Sequence, residues 1–278
     1  MMPYAFEDLR RVSALPEGSP SPSSRTRLDA IAARAATVVG ALLWDVRAYG
    51  KSRDCLEMGI RAARDANDRT IEAVAWAWTS FAWMYDSPTA EGSRRAIDCA
   101  RAGRELCPPR STTASWLAAI EAEARANVDD RPGLRDSLRH ASRASEPTLS
   151  SPDWFWSRFD QAGLAGCEGV CKLRLGRATE ARSALTDALE LLDVSERQRR
   201  LTLIIDLARP DAKQDAVEEA CARAREAMSL AAELRSPVKA QRLLPLRRYL
   251  QNRCDVHRVR LLEEELMTDP TFSDNPRQ

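Results

Sequence analysis

The stretch LAGCEGVCKLRLGRATEARSALTDALELL, from Leu164 to Leu192, decides the fold. Small residues and one larger apolar residue recur along it at a spacing typical of two paired helices, namely Gly169, Gly176, Ala181, Leu185 and Ala188. The small residues allow two antiparallel helices to approach closely, the glycine supports the turn between them, and leucine fills the gap to the next pair. The stretch therefore predicts a helical hairpin.

The same register recurs along the chain, in copies that begin at Cys55, Ala96, Leu134, Ala181 and Ala220. Successive copies are separated by 41, 38, 47 and 39 residues. Repeats of this kind stack on their neighbours, so five hairpins with two closing helices predict a right-handed superhelical solenoid. A helix bundle without repeat geometry is the alternative.

The rest of the chain supports an all-α fold, because nearly every segment has helical period and none shows the alternation of a β-strand. Proline and glycine mark the predicted helix ends, and Pro210 is expected to end a helix over 196–209. We predict an α-solenoid over 25–268, a flexible Pro/Ser-rich tail over 1–24 and a disordered tail over 269–278.

Composition excludes several classes of protein. The 42 basic residues balance 41 acidic ones, so the net charge of +1 creates no field that would attract nucleic acid or an anionic membrane. The longest uncharged, mostly apolar run, from Ala35 to Trp44, is about half a membrane span. The N-terminus lacks the features of a signal peptide, and seven cysteines, an odd number, indicate reduced thiols. We expect a cytoplasmic protein without a membrane partner.

The spacing of the first stretch resembles the tetratricopeptide repeat (TPR). Four strings also resemble the C-terminal TPR region of actinobacterial XRE-type helix-turn-helix transcriptional regulators: LLWDVRAYG, DRTIEAVAWAWTSFAWMY, FDQAGLAGCEGVCKLRLGRATEARSALTDALELL and AMSLAAELRSPVKAQRLLPLRRYL. The resemblance covers about residues 26–267 and implies a sensor or dimerisation region. A helix-turn-helix domain needs about 50–60 residues, which the first 24 cannot supply, so direct DNA binding is not expected.

In TPR solenoids the first helix of each pair lines the concave surface. Aligning the copies gives a predicted partner-binding groove lined by Trp44, Trp78, Phe81, Tyr85, Trp116, Ile120, Glu123, Asn127, Arg174, Asp206 and Arg209. Trp44, Tyr85, Glu123, Val170 and Arg209 occupy equivalent positions in this register. The groove is aromatic in its N-terminal half and charged in its C-terminal half, which suits a peptide, a helix or an apolar small molecule. The alternative is that the rings pack between layers.

A second candidate surface is the segment DWFWSRFD, over 153–160. It has too many aromatic side chains for one buried helix face, so Trp154, Trp156 and Phe159 form a possible interaction edge that could make a homodimer. Ordinary packing between repeats is the alternative.

Signals for chemistry are weak. Cys167 and Cys171 share a helix face, but no second pair of ligands completes a zinc site. Cys254 and His257 have the elements of a nucleophile and a base without an orienting group. We therefore expect no cofactor, metal or catalytic residue.

The sequence thus predicts a non-catalytic regulatory or adaptor protein. Its groove would bind a protein segment, a peptide or a small signal molecule, and the resemblance suggests a role in transcriptional or secondary-metabolism control. The alternative is a biosynthetic-cluster enzyme or enzyme chaperone that encloses a small molecule in the solenoid cavity.

Overall fold

The computed structural model describes residues 21–86, 88–144, 159–234, 242–243, 246–250 and 257–268. These residues form twelve helices and no strand, which confirms the predicted all-α fold. The helices are α1 (Pro22–Asp45), α2 (Tyr49–Asp65), α3 (Arg69–Asp86), α4 (Ala90–Leu106), α5 (Thr112–Asn127), α6 (Arg131–Ala144), α7 (Gln161–Arg174), α8 (Ala178–Glu190), α9 (Arg197–Lys213), α10 (Val217–Glu233), α11 (Leu246–Leu250) and α12 (His257–Thr268). Consecutive helices pair into the five expected hairpins, followed by α11 and α12.

Helix α1 begins at Pro22, within the stretch predicted as a tail over 1–24. The Ser21 hydroxyl caps the helix by accepting a hydrogen bond from the Ser24 amide at 3.3 Å. Proline suits the first helical position, where its missing N–H would have no intrahelical partner. The rest of that predicted tail, and the predicted tail over 269–278, lie outside the described residues.

The prediction that Pro210 ends a helix is wrong, because α9 continues through it to Lys213. Proline removes one backbone hydrogen bond inside a helix and is costly there. In α9 this cost is offset by burial, since Leu201, Ile204 and Ile205 are almost completely covered by neighbouring side chains. Packing of α9 against α8 and α10 therefore outweighs the tendency of Pro210 to end the helix.

The chain divides into two compact units, Met1–Asp160 and Gln161–Gln278. In the first unit, successive helices run antiparallel: Gly40 faces Leu56, while Gly59 faces Ala33 near the other end of the pair. Because direction alternates, α1, α3 and α5 run parallel to one another. Helix α3 also contacts both α1 and α5, so the first helices of the three hairpins form one layer.

A buried serine hydroxyl links the two helices of each hairpin in this unit. Ser52 donates to the Gly40 carbonyl at 2.7 Å, Ser80 to the Ala96 carbonyl at 2.7 Å, and Ser115 to the Ala141 carbonyl at 2.5 Å. Each hydroxyl satisfies its own donor while adding a second bond to a helical carbonyl. The serines therefore fix the register of helices that glycine and alanine bring close together.

The second unit contains the stretch that decided the fold, as α7 and α8. A Cβ atom on Gly169 would lie 2.5 Å from Cγ of Leu185, so only glycine allows this close approach. Gly176, at a φ of +79°, forms the turn between the two helices. Both features were the basis of the hairpin prediction.

An ion-pair cluster lies inside the second unit. The Asp211 carboxylate, 0% exposed, accepts a hydrogen bond from Nε of Arg223 at 2.6 Å and pairs with Nε of Arg182 at 2.9 Å. These groups join α9 to both α10 and α8. A buried carboxylate needs such partners, because desolvation would otherwise exceed any gain from packing.

Candidate functional site

Five aromatic side chains predicted at inward positions meet in the first unit and are called the aromatic cluster: Trp44, Trp78, Phe81, Tyr85 and Trp116. Neighbouring ring centroids lie between 5.4 Å, for Trp44 and Tyr85, and 6.4 Å, for Phe81 and Tyr85. Tilted and edge-to-face geometries predominate, as the quadrupoles of aromatic rings favour. The register alignment thus identified residues that contact one another, whereas a binding role for them stays a prediction.

The parallel first helices bring these rings together. Trp44 lies one residue before the end of α1, and Tyr85 lies at the equivalent place in α3. Trp116, in the first half of α5, contacts Trp78 at 6.0 Å and Phe81 at 6.0 Å. The five rings therefore form one group of contacts that joins the three helices.

The cluster is partly core and partly surface. Trp44 is 8% exposed, whereas the other four rings are half-buried. Trp78 and Trp116 pack against a core group that includes Ala33, Ile71 and Val74. Each ring therefore packs partly against the core, as the alternative holds. The part of its surface that stays exposed is available for contact with a partner.

Two indole groups of the cluster lack a hydrogen-bond partner among the described residues. The Nε1 atoms of Trp44 and Trp78 are fully covered, and no acceptor from that part of the chain reaches them. Trp76 on the same helix as Trp78 differs, because its Nε1 lies 3.4 Å from a carboxylate oxygen of Glu72. Buried donors are nearly always paired in folded proteins, so the two unpaired groups are unusual.

The structure corrects one member of the predicted groove in the first unit. Ile120 is 1% exposed and belongs to the core formed with Leu117 and Ala124, so it does not line an open surface. Glu123 is half-buried, and Asn127 is exposed at the end of α5. Sequence register alone does not separate the core side of a helix from its open side.

Two charged members of the predicted groove in the second unit, Asp206 and Arg209, are engaged with Arg242. Asp206 is 3% exposed, and its two carboxylate oxygens accept from Nη2 of Arg242 at 2.8 and 3.0 Å. Arg209 donates to the Arg242 carbonyl at 3.3 Å, and Arg174 is half-buried. The expectation of open charge is therefore wrong for Asp206, because a buried carboxylate requires a cation beside it.

The second candidate surface is described only in part. Trp154 and Trp156 lie outside the described residues, and Phe159 is half-buried. The interaction edge and the homodimer that it could form remain predictions.

A buried carboxylate in the first unit was missed by the sequence analysis. Oε1 of Glu121 accepts from Arg125 at 2.8 Å and from Arg101 at 3.0 Å, while Oε2 pairs with Arg104 at 3.2 Å. The cluster joins α4 to α5, and Arg125 also pairs with Asp130 ahead of α6. An acidic residue within an apolar helix, with arginine four positions later, was the available signal.

The described residues hold no group of three metal-binding side chains, and no helix among them is long and apolar enough to cross a membrane. Cys167 and Cys171 are buried, His257 is exposed, and Cys254 lies outside the described residues. Burial raises the pKa of Cys99 to about 12, so this thiol is almost entirely protonated near neutral pH.

Comparison with known proteins supports the fold. No protein-family model matches the chain, and no curated protein matches it. Among solved structures, the chain is similar to a Rap protein complexed with competence and sporulation factor, with a TM-score of 0.57 and 14% identity. The match covers 96% of this chain and 73% of that protein. The chain is therefore all-α and TPR-like, and at this identity the likeness concerns the fold alone.

Proposed function

We propose that the protein is a non-catalytic regulatory or adaptor protein that binds a peptide, or an extended segment of a partner protein, at the aromatic cluster. The observation that carries this proposal is the meeting of five aromatic rings from three parallel helices. Large, rigid rings supply much contact area at a low cost in conformational entropy, which is why they dominate binding hot spots.

The chemistry of the cluster favours a peptide. Half-buried rings accommodate apolar side chains, and the N–H groups of Trp44 and Trp78 can donate hydrogen bonds to the carbonyl oxygens of a peptide main chain. Similarity in fold adds support, because the Rap protein was solved complexed with competence and sporulation factor. A scaffold of similar fold is therefore able to hold such a factor.

We further propose that binding controls transcription or secondary metabolism in the cytoplasm, through a separate DNA-binding partner. This context follows from the resemblance to XRE-type regulators. Electrophoretic mobility shift at low salt tests it: the protein alone should not retard promoter DNA, and retardation by the protein alone would contradict the proposed division of labour.

The binding site can be tested with a phage-displayed library of random peptides selected on the immobilised protein. Wild type should enrich a family of apolar peptides, and the Trp116→Ala variant should fail to bind them. Trp83→Ala is the matched control, because Trp83 lies outside the cluster and stacks instead with Arg53 and Arg95 at 4.3 and 4.4 Å. Equal loss in both variants, with intact helical circular dichroism, would contradict the site.

Native mass spectrometry of protein recovered gently from its host separates peptide from small molecule. Extra mass that fragments into amino acids, and that is absent from Trp116→Ala, supports a peptide ligand. Extra mass of a non-peptide compound at the same site would favour a small-molecule sensor or an enclosing chaperone instead. Turnover of that compound would contradict the non-catalytic role.

A further inference from the structure

We infer that the indole N–H groups of Trp44 and Trp78 select the ligand by donating hydrogen bonds to its main-chain carbonyl oxygens. The ligand would be a peptide with an apolar side chain that packs on the aromatic cluster and a neighbouring carbonyl that reaches the two donors. This inference rests on the proposed function and adds the polar half of the recognition.

The first support is the state of the two donors. Both Nε1 atoms are covered, and neither has an acceptor within the part of the chain that the structure describes. Leaving a buried N–H without a partner is unfavourable, and an oxygen supplied by a ligand would remove that cost. The two indole centroids lie 5.6 Å apart, so both donors belong to neighbouring rings of one cluster.

The second support is the nature of the surroundings. Trp44 stands edge-to-face with Tyr85 at 90°, and Trp78 with Trp116 at 75°. An aromatic face is a weak acceptor compared with a carbonyl oxygen, so these contacts do not replace a conventional hydrogen bond. The rings thus form an apolar wall around two covered donors, and a ligand oxygen reaches these donors once the side chains that cover them move aside.

The charge near the two donors favours a neutral carbonyl oxygen of the ligand over a carboxylate oxygen. Helices α1 and α3 end one residue after Trp44 and Tyr85, at Asp45 and Asp86, and the C-terminal end of a helix carries partial negative charge. Asp86 is already paired with Arg53. A carboxylate would meet these helix ends unfavourably, whereas a neutral main-chain carbonyl avoids this repulsion. The geometry therefore favours an internal peptide segment over a free C-terminus.

The donors can be observed directly by two-dimensional NMR of indole groups labelled with nitrogen-15. The probe is N-acetyl-leucine methylamide, which carries an apolar side chain between two carbonyls. The indole protons of Trp44 and Trp78 should move downfield on titration, while that of Trp76, which already faces Glu72, should stay in place. N-acetyl-leucine, whose carboxylate replaces one amide, should cause smaller shifts at equal concentration. Shifts that are larger with the carboxylate would overturn the choice of carbonyl.

Substitution supplies the second measurement. Trp44→Phe and Trp78→Phe keep an aromatic ring and remove the donor, so each should weaken binding of a library-selected peptide by about threefold to tenfold. Trp76→Phe is the matched control and should bind as wild type does. Unchanged affinity in both donor variants, with the peptide still lost in Trp116→Ala, would overturn the inference while leaving the proposed function intact.

The remaining outcomes also separate the two ideas. If no peptide is enriched but the methylamide shifts both indole protons, the donor assignment stands and the peptide function fails. If the methylamide shifts neither proton, the donor assignment is wrong whatever the library yields.

Discussion

The first helices of the hairpins differ in kind between the two units. In the first unit their inward positions carry aromatic rings, of which Trp44 is buried and the other four are half-buried. Two of the indole groups have no acceptor among the described residues. In the second unit the equivalent positions carry the buried Val170 and the charged Arg209, and the carboxylate of the neighbouring Asp206 is paired with Arg242. One helical scaffold therefore supports two different surfaces.

This difference indicates which of the two units binds a partner. Charges that satisfy one another inside a protein offer little to a partner, because the pair would have to be broken and desolvated again. Unpaired donors beside half-buried rings gain a hydrogen bond from a ligand whose oxygen reaches them. We therefore assign recognition to the first unit and a stabilising role to the charges of the second.

The largest expected effect concerns the sealed charges. Asp211→Ala leaves Arg182 and Arg223 without their shared carboxylate, so the free energy of unfolding should fall by about 3 kcal/mol. Chemical denaturation followed by circular dichroism measures this loss. Asp187→Ala, at an exposed position on α8, should change stability by less than about 0.5 kcal/mol. Equal effects in both variants would contradict a stabilising role for the ion pairs.

The next effect tests recognition at matched positions of the register. Tyr85→Ala in the first unit should weaken a library-selected peptide by about thirtyfold, because truncation of a hot-spot ring costs about 2 kcal/mol. Arg209→Ala, the equivalent position in the second unit, should change affinity by less than about twofold. Isothermal titration calorimetry gives both values. A larger loss in Arg209→Ala would reverse the assignment of the two surfaces.

A smaller effect concerns acid stability in the first unit. Asp130 accepts a hydrogen bond from the Gly133 amide at 3.0 Å and pairs with Arg125, and both interactions lower its pKa below the ordinary 3.8. A lowered pKa contributes stability above 3.8 that is lost as the pH falls through the folded value. Because the side chain is 36% exposed, Asp130→Asn should cost about 0.5 kcal/mol at neutral pH.

Denaturation curves at neutral pH and below 3.8 check this prediction. The difference between Asp130→Asn and wild type should shrink in acid, where the wild-type carboxylate becomes protonated. Asp129→Asn is the control, since Asp129 makes an exposed pair with Arg131. A difference that is constant with pH would indicate that the charge of Asp130 contributes nothing.

A last prediction concerns the thiols, which should react slowly in both units without any effect on recognition or stability. Burial raises the pKa of Cys99 to about 12 and that of Cys107 to about 11, and it also raises the pKa of Cys221. Alkylation of Cys99 and Cys107 by iodoacetamide in mildly alkaline buffer should therefore be about a hundredfold or more slower in the native protein than in denaturant. Mass spectrometry maps the modified sites, and rapid native labelling of any of the three would contradict this.

Much of the fold was predictable from spacing. Gly169 and Leu185 lie on different helices yet form one close contact, so their residue types and their separation along the chain are enough to identify the hairpin. The end of α9 was not predictable in the same way. Proline by itself disfavours the interior of a helix. Helix α9 continues past Pro210 because Leu201, Ile204 and Ile205 are buried.

The sequence predicted which aromatic residues lie together in the candidate site, but it did not predict which neighbouring residues are buried. Register alone placed Trp44, Tyr85 and Trp116 on one side of the layer, because parallel helices of equal period align equivalent positions. It could not separate Ile120, which faces the core, from its half-buried neighbours. It also missed Glu121, whose burial depends on three arginines from two helices.

The sequence by itself determined the all-α class, the number of hairpins and the residues that form the aromatic cluster, because these follow from helical period and side-chain size. Only the tertiary structure decided which side chains are covered and which polar atoms find partners. Burial and hydrogen-bond satisfaction depend on atoms from helices distant in sequence. The lack of an acceptor for Trp44 and Trp78 among the described residues is therefore a property of how these helices pack, and no sequence pattern encodes it.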